Sequence, residues 1–138
     1  MKRKPKVLAV CTMGLNRSKY LASYLRNKGY RTKYGGIGDG KIPKLILRNP
    51  FNQEDVDWAD VIIVVRKKHK PLLKEHYNIK GKKIIVFDVT GSLGVLIKKF
   101  PEIINKNPSL KKMDRVEFNK KWTYPQLRKA IKPYLPLK

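Results

Sequence analysis

The 138-residue chain holds a single cysteine, Cys11, and can form no internal disulfide. A lone thiol suits a reducing compartment, so the expected location is the cytoplasm. With one Cys and two His, no cluster has the spacing of a structural zinc site, and neither metal nor cofactor is expected. Acidic residues are scarce: 10 Asp and Glu stand against 33 Lys and Arg, a formal net charge of +23. A field of that size concentrates anions around the whole molecule. Yet no zinc-finger spacing, RNP-type aromatic strand or other nucleic-acid module accompanies it, and the basic residues occur in every segment. Non-specific nucleic-acid binding and simple solvation are equal readings of the charge. Long apolar runs are missing too. No stretch approaches the roughly 18 to 20 apolar residues of a membrane span, and the start MKRKPKVLAVC stops short of a secretory signal. A soluble chain with no membrane partner and no targeting segment is expected.

The length suits one domain over residues 1–138. KVLAVC, DVIIVVR and KKIIVFD are nearly continuous apolar runs, the pattern of parallel strands covered by helices on both faces. YRTKYGG is polar and Tyr-rich and reads as an edge strand. Between the runs lie helical spacings. Leu21, Tyr24 and Leu25 share one side of a helix that stops at Gly29. KKHKPLLKEHY supplies a crossover helix with Pro71 in its first turn, and Leu127, Ile131 and Leu135 a terminal helix that frays at Pro133 and Pro136. The alternation predicts an α/β fold. Residues 38–57 and 89–122, rich in Gly, Pro, Asn and Lys, read as long surface loops, with a short helix near residues 95–100. TGSLG lacks the Gly-Lys-Ser/Thr ending of a nucleotide-binding loop.

The informative stretch is VLAVCTMGLNRSKYLASYL, residues 7–25, where the first strand hands over to the first helix. Open α/β sheets bind ligands at such strand ends. Backbone N–H groups of the loop and the positive end of the helix favour an oxyanion there. Arg17 can grip two anion oxygens with its planar fork. The same field favours the thiolate form of Cys11, a nucleophile aimed at bound phosphate. Ser18 can hydrogen-bond the sulfur, Gly14 permits a turn that a side chain would block, and Asn16 can brace the loop.

VCTMGLNRS has the form Cys-x5-Arg-Ser and resembles the phosphate loop of the low-molecular-weight protein tyrosine phosphatases. DWADVIIVVRKKHKPLLKE is similar to that family's Trp-Ala-Asp, apolar strand and basic His-containing helix, and YGGIG to its glycine turn after the second strand. The resemblance covers residues 6 to about 88. It implies a three-layer α/β/α fold with a four-stranded parallel sheet in the order 2-1-3-4, and a two-step hydrolysis through a phosphocysteine. Carried over, Cys11 is the nucleophile, Arg17 the phosphate clamp and Ser18 the thiolate stabiliser, with Thr12, Met13, Gly14, Leu15 and Asn16 lining the loop. The family's general acid follows the fourth strand in an Asp-Pro-aromatic setting. Here that region reads VFDVTGSLG, so Asp88 is the candidate, with Val89 and Thr90 in place of Pro and aromatic. A strand-end cap is the competing role for Asp88, and Asp114 is the second candidate. Trp58 and Asp60 read as core anchor and cap, His69 and His76 as helix-surface or packing residues. Lys19 reads as a pocket-rim cation, and Tyr20, Tyr24 and Tyr34 as half-buried residues or as an aromatic mouth.

Three functional classes follow. A cysteine-dependent phosphomonoesterase, most simply one acting on protein phosphotyrosine, comes first. The looser resemblance of CTMGLNRS and NKGY to phosphatases of the RNA polymerase C-terminal domain falls in the same class, whereas arsenate reductases need further cysteines. A catalytically silent phosphate-binding module is the second class, and a basic nucleic-acid-associated protein the third. The partners implied are a phosphorylated protein or a small phosphomonoester.

Overall fold

The computed structural model describes residues 4–38 and 49–137. Four parallel strands, β1 (Val7–Cys11), β2 (Thr32–Gly36), β3 (Val61–Val64) and β4 (Lys83–Val86), form one sheet in the order β2-β1-β3-β4. The polar strand β2 takes an edge, as its composition predicts. All five residues of β1 are buried, as expected of a central strand covered on both faces.

Alternation along the strands assigns two cores. Val7, Ala9, Val61, Ile63 and Ile85 face one side, where helix α1 (Arg17–Asn27) contributes Leu21 and Leu25. Even-numbered Leu8, Val10, Ile62 and Val64 face the other, against Val56 of α2 (Gln53–Trp58) and Leu73 of α3 (His69–His76). The result is the expected three-layer α/β/α arrangement. Pro71 lies in the first turn of α3, as its position predicts. Trp58 is half-buried against the second core, under the ammonium groups of Lys6 and Lys33. Asp60 caps no helix; its carboxylate accepts the Lys6 backbone N–H at 2.9 Å and pins the entry to β1.

Two expectations need correction. Within residues 38–57, α2 occupies 53–58, opened by a capping box in which Asn52 and Asp55 satisfy each other's backbone N–H groups; residues 39–48 lie outside the described residues. The segment 89–122 is no loop. It folds into α4 (Leu93–Lys99), α5 (Pro101–Lys106), a 3-10 turn (Pro108–Lys112), α6 (Arg115–Phe118) and the start of a π-helical turn (Asn119–Thr123). Leu96, Ile104, Leu110 and Phe118 form a third core there, joined by Phe100 and Trp122. Pro101 and Pro108 each begin a new helical piece, which breaks the 3.6-residue period that would have shown a helix in the sequence. Helix α7 (Tyr124–Ile131) then buries Leu127 and Ile131 in the first core. It ends four residues before Leu135, in a 3-10 turn at Lys132–Tyr134 that contains Pro133. No helix among the described residues is long and apolar enough to cross a membrane.

Candidate active site

Residues 12–16 connect the end of β1 to the start of α1, and the loop curls back around the sulfur of Cys11. The Gly14 backbone N–H donates to Sγ at 3.2 Å, and Ser18 Oγ lies 3.1 Å from it. Ser18 is wholly buried and Cys11 is 2 % exposed. The sulfur accepts from the Gly14 N–H and donates to Ser18 Oγ, which fixes it at the centre of the loop. Gly14 is held at φ +75, and a Cβ there would meet Asn49 O at 2.5 Å and Gly35 C at 2.6 Å. Glycine alone fits that turn.

The loop is fastened to its surroundings on three sides. Toward β2, the Gly38 N–H donates to Thr12 O at 2.8 Å and the Asn49 side-chain amide to Gly14 O at 2.8 Å. Toward α3, His69 Nε2 lies 2.9 Å from Thr12 Oγ1. The other ring nitrogen, Nδ1, accepts the Arg66 backbone N–H at 3.3 Å, which assigns the proton to Nε2 and makes it the donor to Thr12. Burial, reinforced by the charges of Arg17, Lys68 and Arg66, pushes His69 down to about 3, so the ring is neutral. Toward α7, the Tyr124 hydroxyl donates to Asn16 Oδ1 at 2.6 Å. Tyr124 stacks on Tyr20 at 4.0 Å between ring centroids, and Arg128 donates to the Tyr20 hydroxyl. Asn16 precedes α1 without capping it, and the first turn of α1 carries no acidic residue. The positive end of the helix is left to an incoming anion.

Arg17 is aimed by the chain beyond β4. One terminal nitrogen donates to the Val89 carbonyl at 2.9 Å, the other to Thr12 Oγ1 at 3.4 Å. A Cβ at Gly91 would press on Arg17 Cδ and Nε at 3.3 and 3.4 Å, so this glycine lets the guanidinium lie against the backbone. Burial lowers the Arg17 pKa, Cys11 opposes that, and Arg66 adds to it.

Above Cys11 opens a cleft of about 530 Å³. Of the expected loop residues, Cys11, Thr12, Met13, Leu15, Asn16 and Arg17 line it, while Gly14 and Ser18 stand behind as support. Asp88 is elsewhere: its carboxylate pairs with Arg66 Nε at 2.8 Å and borders a neighbouring apolar crevice with Phe100 and Trp122. Asp114 accepts the Glu117 N–H at 2.8 Å as the cap of α6. No carboxylate is found among the described residues lining the cleft. Nor does a tyrosine line it: Tyr20 and Tyr24 stack along α1, and Tyr34 packs on the first core. Lys19 is exposed outside the lining, and the cations at the rim are Arg66, Lys68 and Arg115.

Several of these residues escape a sequence reading. Arg115 and the Val89 carbonyl carry no local motif, and Asn49 and Tyr124 reach the loop from 35 and 108 residues away. His69 had a signal, since it lies in the His-containing segment of the resemblance, but a helical His reads first as packing.

No protein-family model and no curated protein sequence matches the chain. Solved structures do. The tyrosine phosphatase Wzb from Escherichia coli K30, in complex with phosphate, is similar at a TM-score of 0.61 and 15% identity over 94% of each chain. The Erwinia amylovora tyrosine phosphatase AmsI is similar at 0.60 and 16% identity, over 94% of this chain and 90% of the other. Vibrio vulnificus Wzb in complex with benzylphosphonate gives 0.59 and 15% identity, over 96% and 97%. With its sheet order β2-β1-β3-β4 and Cys11 at the end of the first strand, the chain has the α/β fold of the low-molecular-weight protein tyrosine phosphatases.

Proposed function

We propose that the protein is a cysteine-dependent phosphomonoesterase. The observation that carries this reading is the convergence of the Gly14 N–H and Ser18 Oγ on Cys11 Sγ, at the floor of a cleft into which Arg17 is locked. The Cys11 thiolate attacks phosphorus, an S–P bond forms and the ester P–O bond breaks. Arg17 and the loop hold the non-bridging oxygens as charge develops on them. The leaving oxygen takes a proton, water then attacks phosphorus, the S–P bond breaks and inorganic phosphate departs with Cys11 restored.

Asp88 is the proton donor in this proposal, and it takes the proton of the attacking water in the second step. Its support is position: it directly precedes Val89, whose carbonyl orients Arg17, and its partner Arg66 forms part of the cleft wall. Phosphotyrosine in protein is the simplest substrate, a reading supported by the tyrosine phosphatases of like fold.

Hydrolysis of para-nitrophenyl phosphate by the full chain tests the reading. Turnover is expected to vanish in Cys11→Ser and to fall by about 100- to 10,000-fold in Asp88→Asn. Turnover surviving in Cys11→Ser sinks the enzyme, and an unchanged rate in Asp88→Asn removes that residue from the proton step. The cleft's lack of a lining carboxylate favours a second reading, a phosphate-binding module without catalysis. Tight vanadate binding with no turnover selects it.

A further inference from the structure

The cleft is larger than a phosphate loop needs. At about 530 Å³ it lies within the ~300–1,000 Å³ range of pockets that enclose a whole small molecule. Its far wall comes from the helical segment after β4, through Gly91, Ser92, Val95 and Arg115. That wall belongs with the third core, for Ser92 caps α4 and Arg115 opens α6, two helices held together by Leu96 and Phe118.

The charges in the cleft are of one sign. Arg66, Lys68 and Arg115 join Arg17, and Arg66 is paired with Asp88 at 2.8 Å. Arg115 is exposed and joins no ion pair among the described residues. The helix dipole offers Arg115 no compensation either, since it stands at the first position of α6, the end that disfavours cations. Apolar lining is limited to Met13, Leu15 and Val95, with no aromatic ring among the described residues that line the cleft. Such a surface gives a substrate's body little to stack on and much to pair with. Like charges gathered in a concave site focus the field on a second anion.

We infer that the cleft is a two-anion site: the phosphate loop takes the phosphoryl group, and Arg115 binds a second anionic group of the same substrate. Arg115 is the specificity-determining residue. The preferred substrate class is a phosphomonoester that carries a second phosphate or a carboxylate. The inference rests on the proposed function only in placing the first phosphate on the loop.

Non-hydrolysable phosphonates test it on the wild-type chain without requiring turnover. Calorimetric affinities are compared for phenylphosphonate, 3-carboxyphenylphosphonate and 1,3-phenylenediphosphonate at 0.15 M salt, where surface charges beyond about 8 Å are screened. A second anion is expected to tighten binding about tenfold, the worth of one charge-assisted hydrogen bond. Whether carboxylate or phosphonate gains more identifies the second group. Arg115→Gln is expected to abolish most of that preference and Arg115→Glu to reverse it, while Lys129→Gln, on the exposed side of α7, keeps it. Equal affinities for all three ligands overturn the inference. So does a preference that Lys129→Gln and Arg115→Gln reduce alike, because the net charge then suffices. Binding of none overturns it together with the loop's phosphate role. A preserved preference without hydrolysis of para-nitrophenyl phosphate removes the enzyme and leaves the two-anion site standing.

Discussion

The Tyr124 hydroxyl and the Asn16 side chain meet at 2.6 Å across 108 residues of sequence. The contact joins the last long helix to the residue that precedes α1, so the phosphate loop is braced from outside the sheet. Burial, then the neighbouring Tyr20, raises the Tyr124 pKa, which keeps the phenol a donor at neutral pH. Tyr124→Phe retains the ring stack and deletes only the bond. Stability is expected to fall by about 1 kcal/mol, and vanadate affinity by several-fold as Asn16 loses its anchor. Thermal melts with calorimetric titration check both, and an unchanged vanadate affinity would show that the loop holds its shape without this brace.

His69 gives the protein a sensitivity to mild acid. The folded ring stays neutral down to about 3, whereas an unfolded histidine takes its proton near 6.5. Between those values the unfolded chain binds more protons, so this stabilisation is complete above about pH 6.5 and lost as pH falls toward 3. The loss is at most about 1.4 kcal/mol per pH unit. Denaturant midpoints measured at pH 7.5 and pH 5 are expected to differ in wild type and to draw together in His69→Gln.

Gly14→Ala tests the loop's geometry directly. A methyl group would enter the space of Asn49 O and Gly35 C at a backbone angle that L-residues avoid. A stability loss of about 2 kcal/mol or more is expected, with phosphate binding weakened by more than tenfold as the Gly14 N–H leaves the sulfur. Circular dichroism melts separate the first effect from the second, which phosphate titration reads. A variant as stable and as tightly binding as wild type would show that the turn tolerates a side chain.

The sheet and the loop were legible because their signals are local. VLAVC and VIIV announce buried parallel strands by unbroken apolar content, and Cys11, Gly14, Arg17 and Ser18 stand within eight residues of one another. The third core was not legible, because Pro101 and Pro108 cut its helices below the length at which a period shows. What fastens the loop was hidden for a different reason. Tyr124, Asn49 and the Val89 carbonyl act through tertiary contacts, and a backbone carbonyl leaves no trace in residue type.

The third core divides the cleft between two supports. Its floor is rooted in the sheet through β1, while its far wall hangs on Leu96, Ile104, Leu110 and Phe118, a cluster apart from the two cores that hold the sheet. Substitutions in that cluster can reshape the wall without disturbing Cys11 or its hydrogen-bond partners. The molecule therefore keeps what grips phosphate separate from what chooses the rest of the ligand, and each can change at its own pace.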